Sequence, residues 1–164
     1  MHRLMVPYLV DGYLSYDRPC HVMAETIIVR ECRHGQVRVQ FGNIIRVDGD
    51  IMVIPANNRL AGREGLDERM QLAAGDELRA RCTEIAVERR KEGKQPCGVG
   101  EAVSTSGYNL PAENLVHVVA PDCRRPNQDN FRRELLVNSY NALFDEISKI
   151  EPRKTVVTPP LGMD

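Results

Sequence analysis

The chain reads as an α/β layer fold, a mixed sheet with helices on both faces. Three observations predict this. Short apolar or alternating runs recur at residues 26–29, 37–41, 51–54, 102–105, 115–120 and 155–158. Segments with apolar residues three and four apart separate the later runs, as helices would. At 164 residues, 42% of them hydrophobic, the chain suits one domain with a sizeable core.

In order along the chain, residues 1–24 hold scattered apolar positions (Leu9, Val10, Tyr13, Leu14) between turn signals at Gly12 and Pro19. They read as an N-terminal extension, a strand or arm appended to a domain of residues 25–164. Residues 26–29 and 37–41 form two strands joined by a hairpin turn at Arg33-His34-Gly35. In the second, the alternation of Val37, Val39 and Phe41 predicts one buried face, with Arg38 and Gln40 outward or at an edge. The continuous run at 51–54 is a strand covered on both faces. A short helix is expected over 68–74, and Asp76 reads as the cap of the next. That next helix places Leu78, Cys82, Ile85 and Ala86 on one face. Residues 93–100 are a loop, and 102–105 and 115–120 are the following strands. The polar, turn-rich segment 121–130 reads as a mobile or partner-contacting loop. A helix over 130–148 is expected to turn Phe131, Leu135, Ala142 and Ile147 inward. Residues 155–158 form the last strand, and Pro159-Pro160-Leu161-Gly162 turns off its end.

Composition narrows the function classes. The net charge of −1 predicts no general attraction to nucleic acid or anionic membrane, so an anionic ligand needs local donors. The basic cluster Arg89-Arg90-Lys91 sits where a helix end would, complementing its dipole. Five cysteines, odd in number and without a Cys-x-x-Cys pair, argue against a disulfide framework and give no metal-ligand spacing. Neither a membrane span nor a signal peptide is visible, and a cytoplasmic location is expected.

One stretch stands out for chemistry. The apolar run delivers Ala56-Asn57-Asn58, a loop with Gly62 and Gly65 follows, and Asp67 opens a helix-like segment. Backbone N–H groups at a helix start carry partial positive charge, and glycines let a ligand approach them. Asn57 and Asp67 flank the loop, so an amide and a carboxylate could reach what the backbone holds. The plainer alternative is a surface loop in which Asp67 caps its own helix and Asn57 closes a strand end. His117 reads as a core or supporting histidine, Cys82 as a small core residue, and Cys97 lacks the basic surroundings of an activated thiolate. Tyr108 and Asn109 read as a turn pair holding two strands in register.

Asn57, Leu60, Gly62, Gly65 and Asp67 resemble the Asn-x-x-Leu-x-Gly-Gly-Gly-Gly-Val-Asp signature of macrodomains, the ADP-ribose-binding (Appr-1''-p processing) family. Ala73-Ala74-Gly75-Asp76-Glu77-Leu78 with Cys82 is similar to the family's Ala-Ala-Gly-x-Glu-Leu-x-x-x-Cys helix. Gly100-Glu101-Ala102-Val103, Thr105 and Gly107-Tyr108-Asn109-Leu110-Pro111 resemble its Gly-Glu-Ala-x-x-Thr-x-Gly-Tyr-Asn-Leu-Pro stretch, and His117 falls where the next strand usually carries a histidine. Gly42-Asn43-Ile44 stands where Gly-Asp-Ile is expected.

The resemblance implies a three-layer α/β/α fold in which the family's last strand and helix are missing up to Asp164. The chain is then a piece of a longer one, or its site is completed otherwise, or the site is incomplete. It implies ADP-ribose, or a macromolecule carrying it, as partner, and neither a cofactor nor a metal. Asn57 and Asp67 become the candidate catalytic pair, positioning or activating a water on the distal ribose. Asn43, Ile44, Ala56, Asn58, Gly62, Arg63, Gly65, Leu66, Pro160, Leu161 and Gly162 become the candidate binding residues. Two departures bear on activity. Asn43 offers adenine a neutral acceptor in place of a carboxylate, and a neutral bond is roughly half as strong. Arg63-Glu64 replaces two glycines, narrowing the approach to the sugar or forcing the loop outward. Three readings follow: a hydrolase of ADP-ribosyl or O-acetyl-ADP-ribose esters, a non-catalytic reader, or an interaction module that kept the fold.

Overall fold

The computed structural model describes residues 2–7, 25–33, 35–123, 129–150 and 155–163. Among the described residues seven strands form one sheet: β1 (His2–Pro7), β2 (Glu25–Cys32), β3 (Gly35–Phe41), β4 (Ile51–Pro55), β5 (Ala102–Ser106), β6 (Asn114–Val118) and β7 (Thr155–Val157). Their spatial order is β2-β3-β1-β7-β4-β6-β5. The five central strands run parallel, and β2 and β5 pair antiparallel at the two edges. Three helices, α1 (Gly65–Ala74), α2 (Asp76–Lys91) and α3 (Asp129–Lys149), complete the three layers.

Strand β4 organises the core. All five of its residues are buried, as the unbroken apolar run predicts for a strand covered on both sides. Successive side chains of a strand point to opposite faces. Met52 and Ile54 therefore pack with Met70, Ala74, Leu78 and Cys82 of α1 and α2. Ile51 and Val53 pack with Val116, Val118, Val156 and Leu143 beneath α3. The expected face of α2 is the one buried: Leu78, Cys82, Ile85 and Ala86. Arg89, Arg90 and Lys91 occupy its last turn.

Several local expectations are corrected. Gln40 is buried, not outward, because the side-chain amide donates to Thr26 Oγ1 at 2.9 Å across the β2–β3 pair, where the two residues lie directly opposite. Asp76 is the first residue of α2 and not its cap; Gly75, at φ +95°, precedes the helix without a side-chain bond. On α3 the expected Ala142 and Ile147 do face the core, together with Leu136, Ser139, Tyr140 and Leu143, whereas Phe131 is exposed. Positions 136, 139, 140, 143 and 147 follow the i, i+3, i+4, i+7, i+11 spacing of one helix face, to which 131 does not belong.

Residues 2–7 form a strand inside the sheet, parallel to both β3 and β7. The rest of the N-terminal extension lies outside the described residues, as do His34 of the hairpin turn and positions 124–128 of the loop expected at 121–130. Across that hairpin Cys32 pairs with Gly35. The β5–β6 connection is tight: a Cβ placed on Gly107 would stand 1.6 Å from the Ala112 carbonyl oxygen. Asn109 donates its N–H to Ala74 O at 3.3 Å, so this turn is pinned to the α1–α2 junction as well as joining two strands.

Candidate functional site

Parallel strands present their carboxyl ends along one edge of a sheet, where ligands of α/β proteins collect. On this edge stand residues 57–67 after β4, residues 158–163 after β7, and Gly42-Asn43 after β3. The first two follow neighbouring strands, and β1 lies between β7 and β3.

The loop after β4 is held by one hydrogen-bonded group. Asn57 Nδ2 donates to Asp67 Oδ2 at 3.0 Å, and the Asn57 backbone N–H points to the same oxygen at 3.4 Å. Asn57 Oδ1 accepts from the backbone N–H groups of Arg59 at 2.9 Å and Ala61 at 3.3 Å, the short-range pattern that asparagine uses to shape turns. The amide and the carboxylate that flank the loop thus bond each other. Asp67 does not cap its helix; it is the third residue of α1, buried, with its carboxylate turned back to Asn57. Glu64 precedes α1 in extended conformation and makes no side-chain capping bond. The Glu64 side chain thus takes up none of the first-turn N–H groups of α1, which a helix leaves without internal partners.

Within the loop Leu60 adopts φ +56° and Gly62 φ +53°, both in the left-handed region. Gly62 has a second constraint, since a Cβ there would meet the Gln71 side chain at 2.6 Å. Gly65 adopts φ +64° with open space beside it. Arg63 and Glu64 are exposed, and neither has positive φ, so these two positions do not require glycine here.

The other candidates fall into two sets. Exposed or half-exposed are Asn58, Leu66, Pro160 and Asn43; Asn43 Oδ1 accepts from Ile45 N–H at 3.2 Å and so caps the short 3-10 turn Ile44–Arg46. Buried are Ile44, Ala56, Leu161 and Gly162. Their contribution to a ligand would come from backbone, and the Ala56 N–H already donates to Val118 O at 2.9 Å. Gly162, at φ +78°, accepts from Cys123 N–H at 3.1 Å, and Leu161 N–H donates to the Tyr140 hydroxyl at 3.3 Å.

Sequence reasoning passed over two supports of this edge. Tyr140, which anchors the loop after β7 from α3, carries no sequence signal. Gln71 does: it lies four residues after Asp67, one turn along the same helix face. It is 1% exposed, and its Nε2 donates to Asp67 Oδ1 at 3.1 Å and to Leu60 O at 3.3 Å.

Cys82 and Cys97 are buried and stay protonated in the neutral range. Burial first, and then the charge of Asp67, pushes Cys82 up to about 11; burial pushes Cys97 up to about 12. Cys97 instead serves the loop, its N–H donating to Asn58 O at 3.3 Å. Glu101 steadies that segment: the Gly98 N–H, and then the Arg89 guanidinium at 2.8 Å, hold its carboxyl below the usual range. Among the described residues no cluster of His, Cys, Asp and Glu could hold a metal ion.

Known proteins match this arrangement. The sequence profile of the macro domain matches residues 53–164. A macro domain-containing protein of Mesorhizobium japonicum is 38% identical over 77% of this chain and 65% of its own length. An O-acetyl-ADP-ribose deacetylase of Escherichia fergusonii is 35% identical over 63% of this chain and 57% of its own. A protein-ADP-ribose hydrolase of Staphylococcus aureus is 35% identical over 60% and 38% respectively. The chain thus spans less than two thirds of these relatives' length. In fold, it superposes on an Oceanobacillus iheyensis macrodomain solved with ADP at a TM-score of 0.73, with 24% identity, covering 87% of this chain and 72% of that one. A sheet of five parallel strands edged by two antiparallel ones, an Asn57–Asp67 loop on its carboxyl edge, and the profile match over most of the chain make this chain a member of the macrodomain family.

Proposed function

We propose that this domain binds ADP-ribose, free or attached to a macromolecule, at the carboxyl edge of its sheet. The observation that carries this is the loop after β4, in which the Asn57–Asp67 pair sets the backbone and α1 offers an N-terminus without a capping side chain. First-turn N–H groups and the helix dipole favour a diphosphate there. The loop after β7, tied to Tyr140 and Cys123, supplies the second wall. Asn43 and Ile44 lie on the side of β3, where the adenine would sit. Two relatives carry names of ADP-ribose chemistry, which supports the ligand class.

Hydrolysis of ADP-ribosyl or O-acetyl-ADP-ribose esters is the second reading, favoured by the Asn57–Asp67 pair. On this reading both groups position rather than abstract. Both oxygens of the Asp67 carboxylate accept protein donors, and it is 5% exposed, so it orients Asn57 and the loop against which a water would be placed. Isothermal calorimetry tests the binding step. Heat is expected for ADP-ribose at near-millimolar concentration, with adenosine monophosphate weaker because it lacks the diphosphate. No heat for ADP-ribose would refute both readings and leave the domain as an interaction module. We place the protein in the cytoplasm, which the buried free thiols of Cys82 and Cys97 support; no described helix is long and apolar enough to cross a membrane.

A further inference from the structure

We propose that Gln71 is a positioning residue of the ADP-ribose site: it closes the hydrogen-bonded circuit that gives residues 57–67 their shape. The inference rests on the binding site proposed above. The circuit can be followed atom by atom. Gln71 Nε2 donates to Asp67 Oδ1 and to Leu60 O, Asp67 Oδ2 accepts from Asn57 Nδ2, and Asn57 Oδ1 accepts from Arg59 and Ala61, the neighbours of Leu60. Gln71 alone among these residues stands outside the loop and outside the candidate ligand set. Through α1 it ties the loop to the core, where Met70 and Ala74 flank it.

Its chemistry suits the place. Two acceptors, one of them charged, face one buried nitrogen, so the group there needs two N–H donors and no charge of its own. A primary amide meets both conditions. The amide also lies against Gly62, where a Cβ would approach its Cδ to 2.6 Å and its Oε1 to 2.7 Å. The left-handed residues Leu60 and Gly62 are thus braced by the same side chain, one by a hydrogen bond and one by contact. A glutamine that merely filled space would not bond both the carboxylate and the strained turn.

Two variants separate these roles. Gln71→Leu removes both donors at similar volume. Gln71→Glu keeps the shape but sets an acid against Asp67 and the Leu60 carbonyl; only when protonated does it offer a donor, a single O–H that restores one of the two bonds and so part of the circuit. The other ionisable groups around the circuit are Cys82 on α2, protonated throughout the neutral range, and Arg59, Arg63 and Glu64 on the exposed loop. ADP-ribose affinity is measured by calorimetry from about pH 5.5 to 8.5, and hydrogen exchange of the Arg59 and Ala61 amides is followed without ligand. For Q71L we expect affinity to fall about tenfold or more, with Arg59 and Ala61 losing protection while the amides of α2 keep theirs. For Q71E we expect the affinity loss to shrink as pH falls, a recovery that volume alone would not produce. Wild-type affinity and protection in Q71L, or a Q71E profile parallel to wild type, would overturn the proposal. Should Q71L fail to fold, the Q71E profile and its exchange rates decide. Should the wild-type protein not bind ADP-ribose, the proposed function falls, and the ligand-free exchange still decides whether Gln71 shapes the loop.

Discussion

Acid should destabilise this domain through His117 among other groups. Its ring is fully buried on β6, with Nε2 3.1 Å from Thr105 Oγ1 and Nδ1 without a partner. Thr105 Oγ1 donates to Ser106 O at 3.3 Å, so it accepts from His117, and the ring carries its proton on Nε2. The orphaned atom is then a lone pair, the cheaper group to bury. A second proton would charge the ring in an apolar core, and burial accordingly pushes the His117 pKa down to about 4 from 6.5. The unfolded chain takes that proton below about pH 6.5 and the folded one does not. Stability from this residue is therefore complete above pH 6.5 and declines as pH falls toward 4. The interval of 6.5 to 4, at 1.36 kcal/mol for each pH unit, is worth about 3 kcal/mol. Urea midpoints measured between pH 4 and 8 for the wild-type protein and for His117→Leu test this. The wild-type protein should lose about 3 kcal/mol more than the variant across the interval. Leucine suits the site because Leu115 and Val119 already lie on that side of β6, and Thr105 keeps its bond to Ser106. Parallel pH profiles in the two proteins would refute the reasoning.

Four further outcomes are expected. Asn57→Ala and Asp67→Ala should each lower hydrolysis of an ADP-ribosyl ester by on the order of a hundredfold, if the domain hydrolyses one; unchanged turnover in both would remove the catalytic reading. Asp67→Ala should also cost on the order of 2 kcal/mol in chemical denaturation, since it strips an acceptor from Asn57 and Gln71, and a loss below a few tenths would contradict the circuit. Gly107→Ala should destabilise by on the order of 3 kcal/mol or more, because its methyl group collides with the Ala112 carbonyl; a wild-type melting temperature would show that the turn opens freely. Replacing Arg63 and Glu64 together with glycine should cost about 0.5–1 kcal/mol per site in stability, the native φ values being negative, yet tighten ADP-ribose binding by removing Glu64 from beside the diphosphate. Weaker binding in calorimetry would instead make Arg63 a phosphate ligand.

What could be read without coordinates follows from the range of the interactions involved. The buried strand at 51–55 and the inner face of α2 were legible because one-dimensional periodicity maps directly onto burial. The Asn57–Asp67 pairing was legible through resemblance to a family signature, and its geometry agrees. Illegible features depend on partners distant in sequence. Strand β1 has no alternation to announce it, and its place is defined by pairing with β3 and β7. Gln40 looked solvent-facing until its register opposite Thr26 was known. Tyr140 gains its meaning only when the loop after β7 folds back onto α3.

The Arg63-Glu64 pair, set beside Gly62 and Gly65, shows why the glycine positions of the family signature do not act alike. Glycine at a given position answers either a positive φ or a close approach, and the two demands separate here. Gly62 meets both, at φ +53° and with the Gln71 amide against its Cα. Gly65 meets the first, at φ +64°. Arg63 and Glu64 meet neither, with Glu64 at φ −156°, so long side chains are accommodated there without backbone strain. Tolerance at those two positions says nothing about the residue before them, Gly62, which lies against the Gln71 side chain. The substitutions thus change what the loop presents to a ligand, in charge and bulk, while the Asn57–Asp67–Gln71 circuit keeps the backbone that holds it. Loop shape and loop surface vary independently in this domain, and the surface is where its ligand preference would differ from that of relatives with glycine there.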